Sequence, residues 1–450
     1  MPNYRPKLKI IIIFIFVVLR LFISLSQQAV YDGYDSQYYF NFELINSFRL
    51  PIITLIYSIL KNYELITIFQ SILSSFSWIV LMIIGSKFFE IDKIKYLFLV
   101  VIFSMSFSQI VLVRDNHLLS ESFTLSSALL VLASFLNLNF KSHKTHIQFL
   151  ASLVLFSGVK STNSIIGLTI FAIYLLFIIY FNSRKKILVS KKIISAMLVS
   201  GVLLSNFAHS TITSDISAQL NTSAIINFRI WGNENWRSYL FNSQYPPELR
   251  TIWRDRQNYN VGETPDQGVI NEAIFQKWWE NGGDNFLINF MIDHLEYTIL
   301  GPFFLPELNS RSDYSYTLIN AWGQDPRVNL ELIKIALPTE VIWQEERFSS
   351  YLSISIFLFI IGFYFLAFQF GRFRAEFLFI CRLAAVTLLM FFWSYFSWWF
   401  GSKPPGDILR HHEMPSVVLR LIFVFCILRI VESLLKIRKK NTSSHAGPLG

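Results

Sequence analysis

The chain is poor in charge and nearly devoid of cysteine. Only 15% of its 450 residues are Asp, Glu, Lys or Arg, where a soluble domain carries about a quarter. That shortage excludes a water-soluble globule of this length, which would need more polar surface. The two cysteines, Cys381 and Cys426, both fall inside apolar runs. They are read as packing residues, not as a disulfide framework. Also missing are a glycine-rich phosphate loop, a Cys/His spacing suited to zinc, an internal repeat and a low-complexity tract.

Apolar residues fill the space left by charge. They make up 53% of the chain, and Phe alone supplies 45 positions. Runs long enough to span a bilayer fall at about 10–26, 64–86, 97–113, 118–138, 146–159, 163–181, 192–209, 350–370, 376–398 and 414–434. The pattern predicts an all-α polytopic membrane protein of about ten transmembrane helices, in which the short 146–159 run could be re-entrant. The basic stretch Met1 to Lys9 and the run after it resemble a signal peptide, but no small-x-small cleavage site follows, so the run reads as an uncleaved first helix.

The net charge of +9 does not point to nucleic acid, because Lys and Arg gather in short segments between apolar runs. With the N-terminus inside, the inner segments are Lys87 to Lys95, Lys141 to His146, Arg184 to Lys192, Arg372 to Arg374 and Lys436 to Lys440. All are basic, as the positive-inside rule requires. The outer segments are the loop from Ser26 to about Tyr63, Arg114 to His117, Lys160, a long stretch over 210–348, and Lys403 to Glu413. This divides the chain into an N-terminal transmembrane module (1–209), an extracytoplasmic loop domain (210–348), and C-terminal transmembrane helices with a basic cytoplasmic tail (349–450). Both termini are then cytoplasmic.

In the first outer loop, Tyr34, Tyr38, Phe42 and Ile45 share one helical face, which predicts an interfacial amphipathic helix ended by Pro51. Ile52 to Leu60 is too short to span and reads as dipping in or lying flat. In the large loop, Asp266 to Trp279 reads as a helix capped by Asp266, and Asn285 to Leu300 as another that stops at Gly301-Pro302. The loop is thus mainly helical.

The chemistry gathers on the outer side. Asp32 and Asp35 form a carboxylate pair just past the first span, with Asp32 the expected general base and Asp35 its partner; the same spacing suits a helix cap. No cofactor is called for beyond a divalent cation that this pair could hold. Glu121 enters the outer end of an apolar helix, where an ionisable group is costly and so marks function, or else an ion pair with Arg114 or Lys160. Lys160 sits in a short outer turn, as a snorkelling anchor or as a contact to an anionic headgroup or phosphate. Arg410 offers a planar fork suited to phosphate, and His411-His412-Glu413 follow it. Adjacent histidines face different sides of a helix, so no metal site is read there. In the large loop, Arg229, Arg237, Arg250, Arg254 and Arg256 interleave with Trp231, Trp236 and Trp253, a composition suited to sugar stacking or to a surface resting on the membrane. Trp231, Trp236 and His117 are the expected acceptor or sugar contacts.

Four features together resemble the polytopic C-type glycosyltransferases that use polyprenyl-phosphate sugars. They are Asp32-Gly33-Tyr34-Asp35 with Arg49-Leu50-Pro51 beyond it, Gln70 early in the second span, Leu118-Leu119-Ser120-Glu121-Ser122, and Arg410-His411-His412 before Pro415. His411 stands where the family usually has Tyr, and Lys160 where an Arg-Pro pair is usual. The resemblance implies Asp32 or Asp35 as catalytic base, Glu121 as its support, and Lys160, Arg410, Arg114 and His411 at the donor phosphate. It implies an enzyme of the inner (plasma) membrane with an extracytoplasmic active site. Its partners would be a polyprenyl-phosphate sugar lipid, a glycan, lipid or protein acceptor, and membrane lipids. Two other readings compete. An O-antigen-type polymerase or ligase would place essential Arg and His within 210–348 and leave Asp32 expendable. A lipid-linked sugar flippase or transporter would favour mid-membrane charges and two-fold repetition.

Overall fold

The computed structural model describes residues 5–25, 40, 50–118, 120–139, 142–183, 190–212, 215–258, 265–300, 383, 385–386, 389, 393, 399, 417–433 and 435–436. Asp32, Asp35, Arg410, His411, most of the expected first-loop helix and nearly all of 301–416 lie outside the described residues.

The described residues are helical, with no strand among them. In chain order the first helices are α1 (Arg5–Leu25), α2 (Pro51–Leu60), α3 (Tyr63–Gly85), α4 (Asp92–Ser106), α5 (Gln109–Asn116), α6 (Glu121–Leu136), α7 (His143–Ser157), α8 (Ser161–Ser183) and α9 (Lys191–Ile212). A second group follows: α10 (Asp215–Ile225), a wide turn at Ile226–Ile230, α11 (Glu234–Asn242), α12 (Glu248–Asn258), α13 (Pro265–Ile270), α14 (Ala273–Glu280) and α15 (Phe286–Asp293), then another wide turn at Glu296–Leu300. A helix over 417–433, α16, returns to the first group.

Three helical stretches among the described residues are long and apolar enough to cross a membrane: Tyr63–Phe88, Ser161–Tyr180 and Lys191–Ser210. Their surfaces fit that use. On α9, Leu198, Val199 and Val202 are each at least 60% exposed, as are Leu176 and Ile179 on α8. Contiguous aliphatic surface of this kind is costly in water and costs nothing in hydrocarbon.

The apolar run expected over 97–113 is two helices, and serine chemistry explains the break. Ser104, Ser106 and Ser108 each turn a hydroxyl back onto a backbone carbonyl, those of Val100, Phe103 and Met105. Such bonds compete with the helical ladder. The backbone leaves the helix at Phe107 and becomes extended at Ser108 (φ −63°, ψ 149°) before α5 begins. Pro51 opens α2 at its first helical position, where its missing N–H costs nothing. α3 begins at Asn62, whose side chain accepts the amides of Glu64 (2.8 Å) and Leu65 (3.1 Å).

The main core lies among α3, α4, α6, α7, α8 and α16, with Trp78, Phe98, Leu129, Phe149, Ile166 and Phe425 buried. At one end of α3, α16 is clasped to the turn leading into α4. The Glu432 carboxylate accepts the backbone amides of Glu90 (2.6 Å) and Ile91 (2.7 Å), the unpaired donors at the start of α4. Arg429 pairs with Glu432 and donates to the Phe88 carbonyl, and Lys436 meets Glu90 at 2.9 Å. A separate core holds 215–300 together, built on Ile226, Leu240, Leu249, Val269, Phe275 and Phe290.

Gly85 makes the clasp possible. A Cβ there would lie 2.5 Å from Cζ of Phe98 and 2.7 Å from Cζ of Phe425. Gly85→Ala is expected to lower stability by about 1–3 kcal/mol through overpacking, read as an earlier unfolding transition in detergent. Adding Phe98→Leu should restore much of the loss.

Candidate functional site

The half of α3 that runs from its start to Ser74 borders a group of buried polar side chains. Its centre is Arg20, five residues before the end of α1 and almost wholly buried at 1% exposure. Its guanidinium pairs with Asp115 of α5, donates to Ser74 Oγ on α3 (2.8 Å) and caps the Ser106 carbonyl at the end of α4. The break after α4 frees that carbonyl from the helical ladder, which is why it can accept from a side chain. Asp115 accepts a second bond from Ser122 Oγ of α6 (2.7 Å). One ion pair thus ties five helices, with hydroxyls and a carbonyl taking up part of the bonding capacity that burial would otherwise leave costly.

Around this centre lie the residues singled out from sequence. Arg114, Asn116 and His117, beside Asp115, are all buried. The backbone turns extended at His117 (φ −83°, ψ 131°), ending α5 and leading into α6. The His117 carbonyl accepts Gln70 Nε2 (3.1 Å), and the same nitrogen donates to Tyr57 OH (3.2 Å). Gln70, marked in the sequence by its place early in the second span, therefore joins α2, α3 and the α5–α6 turn. Phe40 packs on Tyr57 and Tyr63, with ring centroids 5.4 Å away in each case.

Glu121 occupies the first turn of α6, where the helix dipole favours a carboxylate. Its Oε1 lies 3.0 Å from Lys160 Nζ, with side-chain exposures of 1% and 12%. This is one of the two pairings expected for Glu121. Lys160 stands just before α8, and its carbonyl accepts the amides of Asn163 (2.9 Å) and Ser164 (3.2 Å). Asn163 Nδ2 reaches Thr124 Oγ1 of α6 (3.3 Å) and the Phe156 carbonyl (3.1 Å), holding the α7–α8 turn against α6.

The structure therefore brings Glu121 and Lys160 together, and sets Arg114 and His117 beside the Arg20–Asp115 pair on the adjoining turn. Asp32, Asp35, Arg410 and His411 lie outside the described residues. Trp231 and Trp236 belong to the second unit. Trp231 packs edge-on against Phe241 and Tyr245, and the Arg250 guanidinium lies 5.8 Å from its ring and 4.7 Å from that of Trp253. Trp236 donates Nε1–H to Glu296 (3.0 Å) and packs on Phe290 and Tyr297. Asp266 lies in the first turn of α13, and its buried carboxylate accepts from Ser223 Oγ (3.2 Å) and Trp253 Nε1 (3.0 Å). In the same unit, burial and the neighbouring Asp293 push the Tyr239 hydroxyl up to about 12. Among the described residues, no group of three or more His, Cys, Asp or Glu could hold a metal ion.

Arg20 was missed by motif reading because it is absorbed in an apolar run. The signal was present nonetheless: a lone guanidinium near the end of a run meant for hydrocarbon calls for a partner. Asp115→Leu is expected to cost about 3–5 kcal/mol, the penalty for leaving a buried cation uncompensated. Arg20→Met combined with Asp115→Leu should recover most of that loss. Unfolding of the two single variants and the double variant in detergent measures the coupling.

Set against known protein families, curated proteins and solved structures, the chain has no match.

Proposed function

We propose that the protein is a membrane glycosyltransferase that moves a sugar from a polyprenyl-phosphate carrier to an acceptor hydroxyl at the outer face of the membrane. The observation that carries this reading is the buried pairing of Glu121 with Lys160 at the head of α6, with Arg114 and His117 buried on the stretch that leads into that helix. A purely structural bundle has little use for so many ionisable groups at the end of apolar helices, where each is costly.

The cluster suits the reaction. Lys160 carries a cationic head at the edge of the cluster, with Glu121 fixing its position. A fixed cation there would stabilise the phosphate oxygen that gains charge as the carrier leaves. Arg114, buried near the end of α5, would add positive potential. The first loop supplies the base. Phe40, packed on Tyr57, lies five residues after Asp35 and eight after Asp32. Five extended residues reach about 18 Å at most, which bounds how far Asp35 can lie from Phe40. In the reaction, the acceptor hydroxyl gives its proton to the Asp32 carboxylate while its oxygen bonds to the anomeric carbon. The bond from that carbon to the phosphate oxygen breaks, and polyprenyl phosphate departs. A single displacement inverts the anomeric configuration.

The test is release of polyprenyl phosphate from a panel of polyprenyl-phosphate hexoses and pentoses, with the protein in proteoliposomes and a membrane extract as acceptor source. Asp32→Asn is expected to lower turnover about 10²–10⁴-fold, as removal of a general base does. Lys160→Met should lower it too, with Lys160→Arg partly restoring it. No release from any donor, or normal release by both Asp32→Asn and Asp35→Asn, overturns the reading. Retained activity in those variants together with loss on changing Arg or His within 210–348 would point to a polymerase or ligase.

A further inference from the structure

The segment from Phe286 to Leu300 is split into two faces. Phe286, Leu287, Phe290 and Tyr297 are buried in the core of the second unit. Ile288, Ile292, Leu295 and Ile299 point away from it, and each is more than half exposed (56%, 65%, 58% and 51%). Four large aliphatic side chains at spacings of 4, 3 and 4 residues form an apolar strip that a water-facing surface would not keep. The strip's acidic neighbours are held by polar partners on the domain: Asp293 accepts from Tyr239 OH (2.9 Å), and Glu296 from Trp236 Nε1 (3.0 Å) while facing His294 Nδ1 (2.8 Å).

Two connections fix where this strip lies. α10 begins at Asp215, three residues after the end of α9, whose residues Lys191–Ser210 are long and apolar enough to cross a membrane. The Thr298 carbonyl accepts the indole N–H of Trp399 (2.8 Å), and Trp399 packs on the core of the second unit. Trp399 directly follows the apolar run at 376–398. The second unit is thus joined to the ends of two apolar segments, one through the chain and one through Thr298 itself. Tryptophan at such a position is the usual marker of the bilayer–water boundary.

From this geometry we infer that the 286–300 segment is a bilayer contact: Ile288, Ile292, Leu295 and Ile299 enter the acyl-chain boundary, and Asp293 and Glu296 stay on its aqueous side. The occupant is lipid, met by a strip that lies in the plane of the membrane. The inference rests on the chain spanning the membrane and not on its chemistry.

The experiment places a nitroxide at one site at a time in the full chain, in proteoliposomes of phosphatidylethanolamine and phosphatidylglycerol, on a background in which Cys381 and Cys426 are replaced by Ser. Collision with oxygen, which concentrates in hydrocarbon, is compared with collision with a water-soluble nickel chelate. Labels at Ile292 and Ile299 are expected to meet oxygen several-fold more than the chelate, as should a control label at Val202 on α9, while a label at Glu280 should show the reverse. A lipid signal at Val202 with a water signal at Ile292 and Ile299 overturns the inference and leaves the membrane span standing. A water signal at all three overturns both. Protection of Ile292 and Ile299 from both probes also overturns it, because protein and not lipid would then cover the strip.

Discussion

Burying a guanidinium is costly, and this bundle does so at Arg20. The only arrangement that tolerates the charge is one in which an opposite charge and several polar atoms converge on it. Asp115, Ser74 and the Ser106 carbonyl come from three helices, and Ser122 from a fourth steadies the carboxylate. None of these contacts survives a sliding of α1 or a straightening of the chain at Ser108. The ion pair therefore specifies register more than it adds stability, and it fixes the orientation of α5, on which Arg114 and His117 depend.

Two levels of α3 solve a similar problem by different means. At its midpoint, beside Ser74, an arginine is satisfied by an acid from a short helix. At the other level, the buried acid Glu432 is satisfied by two backbone amides and Arg429. The core is mostly aliphatic and aromatic, but it too carries cross-helix hydrogen bonds, between Ser134 and Ser152 (2.7 Å) and between His146 and Tyr174 (2.6 Å). Polar contacts of this kind give the bundle a defined alignment that apolar packing alone supplies poorly.

Much of this was legible in the residues. The long apolar helices followed from hydropathy, and Glu121 at the head of one announced its need for a cation, which Lys160 meets. The second unit was legible as helical, though not in its joints: the expected helix over 266–279 parts at Asn271-Glu272, and Asp266, in the first turn, also serves Trp253 and Ser223. What escaped were effects that averaging removes. A hydropathy window dilutes Arg20 among its apolar neighbours. It also runs straight through the serines at 104–108, since a serine that bonds its own backbone scores no differently from one that does not. His146 belonged to a basic inner segment by sequence, yet is buried with its Nδ1 2.6 Å from Tyr174 OH, because a partner 28 residues away could not be read from its surroundings. Trp231 and Trp236 carried the composition of a sugar platform, while their described partners place them in the packing of the second unit.

The spacing of the Arg20 contacts along the chain bears on how the protein is made. Its partners lie 54, 86 and 95 residues downstream. At translation rates of about 5–20 residues per second, the acid that neutralises Arg20 follows it by on the order of ten seconds. During that interval α1 holds a cation with no native counterpart. Arg20 lies five residues before the end of α1, so in that interval its charge must stay in polar surroundings, and the guanidinium takes its native place only once α5 has emerged. Assembly of this part of the bundle is in that sense timed by the ribosome.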